Sequence, residues 1–243
     1  MRSDHNNFEG KSMKLGIMQP YFFPYIGYFQ LINAVDKFII YDNIKYTKKG
    51  WINRNRFLQN GCDSIFTLPL KKGSEQLNIV ERQISDDFNP IKLLSVFKGS
   101  YLKAPYYKEV SALLEAILGY EHDNLFHYLH NSILEICRYL EIDTEIVISS
   151  KLDVDHSLVS SERVLALCES VGATAYINPI GGVDLYDKSQ FLIKGIDLGF
   201  LATNTIHYPQ FKDPFLSSLS IIDVLMFNSK GSINQLLGEY QLQ

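Results

Sequence analysis

Apolar residues recur along this chain with two periods, and each change of period marks a new element. Short apolar runs predict strands at 14–19 and 37–41, with a short helix at 27–34 between them. Further strands are expected at 51–58, 64–70 and 77–84, the last two around the turn Lys71-Lys72-Gly73-Ser74. Helical spacing follows at 90–98, 105–118 and 124–140. A β-branched strand at 144–148 leads into a helix at 160–171, begun by Ser160 and Ser161 ahead of Glu162, a capping-box-like start. A strand at 174–178, a helix at 186–195 closed by Gly195, a strand at 196–205 and a helix at 220–227 complete the pattern. Strands alternating with helices predict an α/β fold with a mainly parallel sheet and crossover helices. Residues 44–120 interrupt the alternation and are expected to add a small antiparallel β insertion and a helical cap. The reading is one domain over 13–243, preceded by an extension at 1–12.

Composition narrows the class. A hydrophobic share of 46% supports a sizeable core. The net charge of −4 gives no global basic field, so nucleic acid is not the expected partner. No apolar run reaches the roughly 20 residues of a membrane span. Residues 1–12 are polar, without the apolar region of a secretory signal. Cys62, Cys137 and Cys168 are odd in number and widely spaced, which suits a reducing cytoplasm and argues against a disulfide framework or a zinc knuckle. The histidine spacing defines no metal site either, so no metal is expected.

Three segments carry candidate chemistry. The first is the loop after the opening strand. Pro20 and Pro24 stiffen it. Gln19, Tyr21, Tyr25 and Tyr28 would line a pocket with amide and phenol groups, and Gly27 would let backbone approach a phosphate at a helix start. Asp42 and Asn43 end the second strand beside it. Asp42 is a candidate general base, although an Asx turn explains the pair equally well. The second segment is the basic run 45–56, with Lys49, Trp51, Asn53, Arg54, Asn55 and Arg56. A solvated hairpin is the ordinary reading of such a run. Here the chain's single tryptophan sits inside it, and strand alternation would send the asparagines to one face and the arginines to the other. The third segment is Asn178, Gly181 and Gly182, followed by Tyr186 and Asp187, at a strand-to-helix junction suited to a phosphate or substrate turn. It lacks the glycine fingerprint of dinucleotide binding and the lysine of a P-loop. Since each segment follows a strand, all three are expected to converge on one cleft.

Five blocks together are distinctive: Gln-Pro-Tyr-Phe-Phe-Pro-Tyr-Ile-Gly-Tyr at 19–28, Tyr-Asp-Asn-Ile-Lys-Tyr at 41–46, Gly-Trp-Ile-Asn-Arg-Asn-Arg at 50–56, Tyr-Ile-Asn-Pro-Ile-Gly-Gly at 176–182 with Leu-Tyr-Asp at 185–187, and Leu-Ser-Ile-Ile-Asp at 219–223. They resemble the WbqC-like protein family from about residue 13 to 231. Members of that family tend to be encoded among genes for O-antigen and other surface-polysaccharide synthesis, so the resemblance implies a role there. It supplies no catalytic residue. A weaker resemblance links the strand, proline loop, helix and strand of 14–41 to nucleotidyltransferases such as pantothenate synthetase. The histidines of their His-x-Gly-His signature are absent; Tyr25 and Tyr28 stand in that neighbourhood.

These readings lead to an expected enzyme of surface-polysaccharide synthesis, located in the cytoplasm. It would act on a nucleotide-linked amino sugar or another phosphorylated small molecule, by acyl or aminoacyl transfer to the sugar amine. No cofactor is indicated; a nucleotide or an acyl donor would be the second ligand. A non-catalytic nucleotide-sugar binding or assembly protein is the alternative.

Overall fold

The structure is a computed structural model that describes residues 12–212 and 214–243. The expected extension at 1–12 lies outside the described residues except for Ser12. Apolar runs at Lys14–Met18 (β1) and Lys37–Ile40 (β2) flank helix α1 (Ile26–Asn33). A hairpin of Arg54–Gln59 (β3) and Cys62–Thr67 (β4) follows, then helices Pro90–Tyr101 (α2), Tyr107–Leu118 (α3) and Leu125–Tyr139 (α4). The chain returns as Glu145–Ile148 (β5), Ser160–Ser170 (α5), Ala175–Pro179 (β6), Lys188–Ile193 (α6) and Asp197–Thr203 (β7). Helices Ile221–Phe227 (α7) and Lys230–Leu236 (α8) lead to a last strand, Tyr240–Leu242 (β8).

The main sheet runs β5-β2-β1-β6-β7-β8, parallel except for β8, and β3 and β4 form a separate two-stranded antiparallel sheet. The expected α/β class with a small antiparallel insertion is therefore the observed one. Period-two alternation sorts the sheet's side chains between two cores. Leu15, Ile17, Ile39, Tyr176 and Phe200 face α5 and α6. Phe38, Ile40, Ile177 and Leu201 face the larger core of α1, α4 and α7, which the hairpin and α2 and α3 extend through Phe57, Phe66 and Phe97. No helix among the described residues is long and apolar enough to cross a membrane.

Four local expectations change. Residues 77–84 do not make a strand: Ile79–Glu81 is a 3₁₀ turn. Its capping box, in which the Asn78 amide donates to Glu81 Oε2 at 2.8 Å, outweighs the apolar alternation. The strand over 51–58 begins only at Arg54, because residues 51–53 turn. The helix over 186–195 shortens to α6, since Asp187 caps it by accepting from the Ser189 amide at 2.9 Å and a 3₁₀ turn, Ile180–Leu185, comes first. Finally, α8 and β8 add a C-terminal antiparallel edge that the sequence pattern did not announce.

Candidate functional site

In the strand order, the chain leaves β1 toward β2 on one side and returns through β6 on the other, so the topological switch lies between β1 and β6. Open α/β sheets hold ligands outside the carboxyl ends of strands at such a point. The loop that follows β1 is fixed there by polar contacts. Phe23 has a φ of 46°, a left-handed backbone that costs a non-glycine residue energy. Its carbonyl accepts from Asn55 Nδ2 at 2.8 Å and from Ser220 Oγ at 2.7 Å. The Phe22 amide donates to the Ile52 carbonyl at 2.9 Å, and the Ile221 amide to that of Pro24, also at 2.9 Å. Residues 22–24 are thus tied to the hairpin and to α7 at once.

This places Tyr21, Pro24, Tyr25, Trp51, Asn55, Arg56 and Ser218 around a cavity of 350 Å³. Tyr25 and Ser218 also belong to a neighbouring cavity of 260 Å³, which Thr203, Asn204 and Tyr208 line as well. Trp51 is 41% exposed, unusual for so large an apolar surface, and the Cζ atoms of Arg54 and Arg56 lie 5.6 and 5.8 Å from its ring centre. Arg56 also donates to Asp63 Oδ2 at 3.2 Å and to the Ser218 carbonyl at 3.1 Å. Arg54 spends its Nε on the Gly50 carbonyl at 3.0 Å and Nη2 on that of Lys49 at 2.6 Å. Burial raises the phenols of Tyr21 and Tyr25 above the usual tyrosine value, so both are protonated donors at neutral pH.

The candidate residues separate into groups. Alternation operates as expected: Asn53 and Asn55 turn inward and are buried, while Arg54 and Arg56 turn outward toward Trp51. Gln19 donates from Nε2 to the Tyr21 hydroxyl at 2.7 Å and so orients that phenol. Tyr28 belongs to the core, its hydroxyl donating to the Gln19 carbonyl at 3.2 Å. The ring of Tyr25 covers Gly27, where a Cβ would fall 2.4 Å from it. Lys49, Asn53 and Arg54 line a separate cavity of 700 Å³.

Asp42, Asn43, Asn178, Gly181, Gly182, Tyr186 and Asp187 line none of these three cavities. Asp42 is buried at the end of β2, and its carboxylate accepts from Ser149 Oγ at 2.8 Å, the Ser150 amide at 3.0 Å and Ser150 Oγ at 2.6 Å. Asn43 contacts His156 Nδ1 at 3.1 Å and accepts through its carbonyl from Arg163 Nη2 at 3.2 Å. Arg163 in turn lies 4.9 Å from the ring of Tyr41, whose hydroxyl burial pushes up to about 12. Asn178 is buried, accepting from the Tyr176 hydroxyl at 3.1 Å, and its amide fills the space beside Gly182. Gly181 is exposed, and Asp187 is spent on capping α6. The loop after β1 and the basic run therefore converge, whereas the Asn178–Asp187 segment forms its own tight junction. Among the described residues, no three His, Cys, Asp or Glu side chains converge to hold a metal ion.

Sequence reading missed Thr203, Asn204, Ser218, Arg82 and Arg163. Each reaches its place through tertiary structure; only the turn residues Ser217-Ser218 before α7 offered a local signal.

Comparison with known proteins agrees with the five blocks. No solved structure matches the chain. The uncharacterized protein Rv1507c of Mycobacterium tuberculosis (strain ATCC 25618 / H37Rv) is 30% identical over 218 residues, covering 88% of this chain and 93% of that protein. The model of the WbqC-like protein family matches residues 19–235, which contain both the loop after β1 and the Trp51 cavity. By that match over nearly its whole length, the chain belongs to the WbqC-like protein family.

Proposed function

We propose that the Trp51 cavity binds a nucleotide-linked amino sugar and that the protein is a cytoplasmic enzyme of surface-polysaccharide biosynthesis, transferring an acyl or aminoacyl group to the sugar amine. The observation that carries the binding half of this reading is the half-exposed indole of Trp51, with the Cζ atoms of Arg54 and Arg56 5.6 and 5.8 Å from its ring centre, in a cavity that Tyr21, Tyr25 and Asn55 also line. An indole face stacks on a base or on the apolar face of a sugar, and an arginine fork matches phosphate oxygens. Protonated phenols and a carboxamide suit sugar hydroxyls. The family's usual genetic setting supports the pathway, and the three free cysteines fit a reducing compartment.

One observation favours the non-catalytic alternative. Among the described residues, those around the Trp51 cavity include neither a carboxylate nor an imidazole, and Asp42 is held by Ser149 and Ser150 outside it. A general base must reach the proton that it removes. The test is incubation with a panel of nucleotide-linked amino sugars and acyl or aminoacyl donors, read by mass spectrometry, with fluorescence of the single tryptophan reporting binding. A mass gain on the sugar establishes transfer. Quenching without any mass gain supports the binding protein, and neither response across the panel refutes the ligand class.

A further inference from the structure

Arg54, whose Cζ lies 5.6 Å from the Trp51 ring centre, also lines the 700 Å³ cavity, formed by the turn at 47–50, the start of β3 and the segment 70–82. Lys45, Lys48, Lys49, Arg54, Lys72 and Arg82 line it, and none of the six has a carboxylate within ion-pair distance among the described residues. A seventh cation, Lys71, is paired with Asp86 at 2.9 Å. Among the described residues, Glu75 is the one acidic residue of the lining. Surface lysines alone would be an ordinary solvated face.

Arg82 makes the difference, because it is only 9% exposed. Its Nη1 donates to the Ser74 carbonyl at 3.3 Å and its Nη2 to that of Lys71 at 3.2 Å. Its Cζ lies 4.9 Å from the ring centre of Tyr46, and its buried Nε has no partner among the described residues. These contacts supply dipoles and a π face but no formal negative charge. A buried cation without a counter-charge is expensive to maintain. The turn also comes close to it: a Cβ on Gly73 would lie 3.0 Å from Nη1. Tyr46 is held in turn by its hydroxyl bond to Asn53 Oδ1 at 2.8 Å. Here a hydrogen-bonded guanidinium sits among exposed ammonium groups, a lining whose combined charge suits an anion of more than one charge.

We propose that this cavity is a binding site for the diphosphate or polyphosphate group of a small molecule. The proposal stands on its own lining and does not require a sugar in the Trp51 cavity. Two sources share the chemistry: the diphosphate of a nucleotide-linked sugar reaching across Arg54, or a separate phosphorylated donor.

Calorimetric titration of the full chain with inorganic pyrophosphate tests it, with melting temperature followed in parallel. One-to-one binding that weakens with salt, and a melting temperature that rises with pyrophosphate, are expected. The double variant Lys49→Ala, Lys72→Ala should bind about tenfold more weakly or worse, the scale of losing one charge-assisted bond. Both side chains are exposed, so this variant should fold. Lys108→Ala, exposed on α3 and outside both cavities, should leave pyrophosphate affinity unchanged. A titration with uridine diphosphate separates the sources. If both Arg56→Ala and the lysine pair weaken it, one ligand spans both cavities; if only the lysine pair does, the site serves a separate phosphorylated ligand. Absence of pyrophosphate binding to the native chain, or unaltered binding by the lysine variant, overturns the proposal.

Discussion

Replacing Tyr101 by phenylalanine should destabilise the fold strongly and in a pH-dependent way. Tyr101 is fully buried, and its hydroxyl accepts from the Leu58 amide at 2.9 Å while donating to Asp223 Oδ1, also at 2.9 Å. Asp223 Oδ2 accepts from the Tyr208 hydroxyl at 2.8 Å and from Gln210 Nε2 at 2.7 Å. The hydroxyl thus joins β3, α2 and α7 through one oxygen. Removing it leaves the buried Leu58 amide without a partner, at about 1–3 kcal/mol, and takes from a carboxylate a bond worth about 1.5–3 kcal/mol. The expected loss is therefore about 2.5–6 kcal/mol, a large part of a typical stability of roughly 5–15 kcal/mol. Burial raises the Asp223 carboxyl in the folded state, and its three donors pull it back down. A raised acid contributes stability while it is protonated in both states, and that contribution is lost as the pH climbs through the folded value. Deleting the Tyr101 donor raises the carboxyl further. The cost of Tyr101→Phe should thus be greatest above the folded value of Asp223 and shrink as the pH falls through it, leaving the Leu58 part. Urea unfolding of both proteins across this range measures it. A loss below about 1 kcal/mol, less than one unsatisfied buried amide, or a loss that does not vary with pH, would refute the reasoning.

Three further outcomes follow from the geometry. Arg56→Ala should weaken any phosphorylated ligand of the Trp51 cavity by about 1.5–3 kcal/mol, measured by quenching of the single tryptophan; unchanged affinity would remove Arg56 from the site. Gly182→Ala should destabilise by about 1–3 kcal/mol in thermal melts, because its Cβ would fall 1.9 Å from Asn178 Nδ2 and force the amide aside; an unchanged melting temperature would show that the junction is soft. Cys62 is exposed, whereas burial pushes the thiols of Cys137 and Cys168 up to about 12, so a thiol reagent should label one cysteine in the native chain and three after unfolding. Fast labelling of a second thiol under native conditions would contradict the packing around α4 or α5.

The central strands were legible because parallel strands buried on both faces read as apolar runs, as in Leu-Gly-Ile of β1 and Phe-Ile-Ile of β2. The hairpin was only half legible. The two-residue turn Asn60-Gly61, with φ of 53° and 80°, is a strong local signal. The turn at 71–74 attracted the reading instead, yet it leads into a 3₁₀ turn rather than a strand. For the site, the alternation of Asn53 to Arg56 told correctly that asparagines and arginines take opposite faces, since period two is local, but not which pair turns inward. The partition into separate cavities was not legible. It depends on Arg54 folding the turn at 47–50 back on itself and on Arg82 arriving from a distant segment. Convergence of the Asn178–Asp187 segment with Trp51 was expected from strand ends alone. That rule places loops along an edge without saying which of them touch, and Asn178 turned out to be spent on Tyr176 and Gly182.

The left-handed backbone of Phe23 bears on kinetics. A loop with two prolines, one residue in a sparsely populated conformation and its carbonyls gripped from both β3 and α7 has little freedom left to lose when a ligand arrives. Its ordering entropy is already spent during folding, so association at the Trp51 cavity should proceed without a slow closing step. The observed rate should then rise linearly with ligand concentration rather than level off. The same arrangement makes Ser220 a determinant of binding speed although it lines neither cavity: loosening its grip on the Phe23 carbonyl would let the loop relax, and encounters would have to wait for it to re-form.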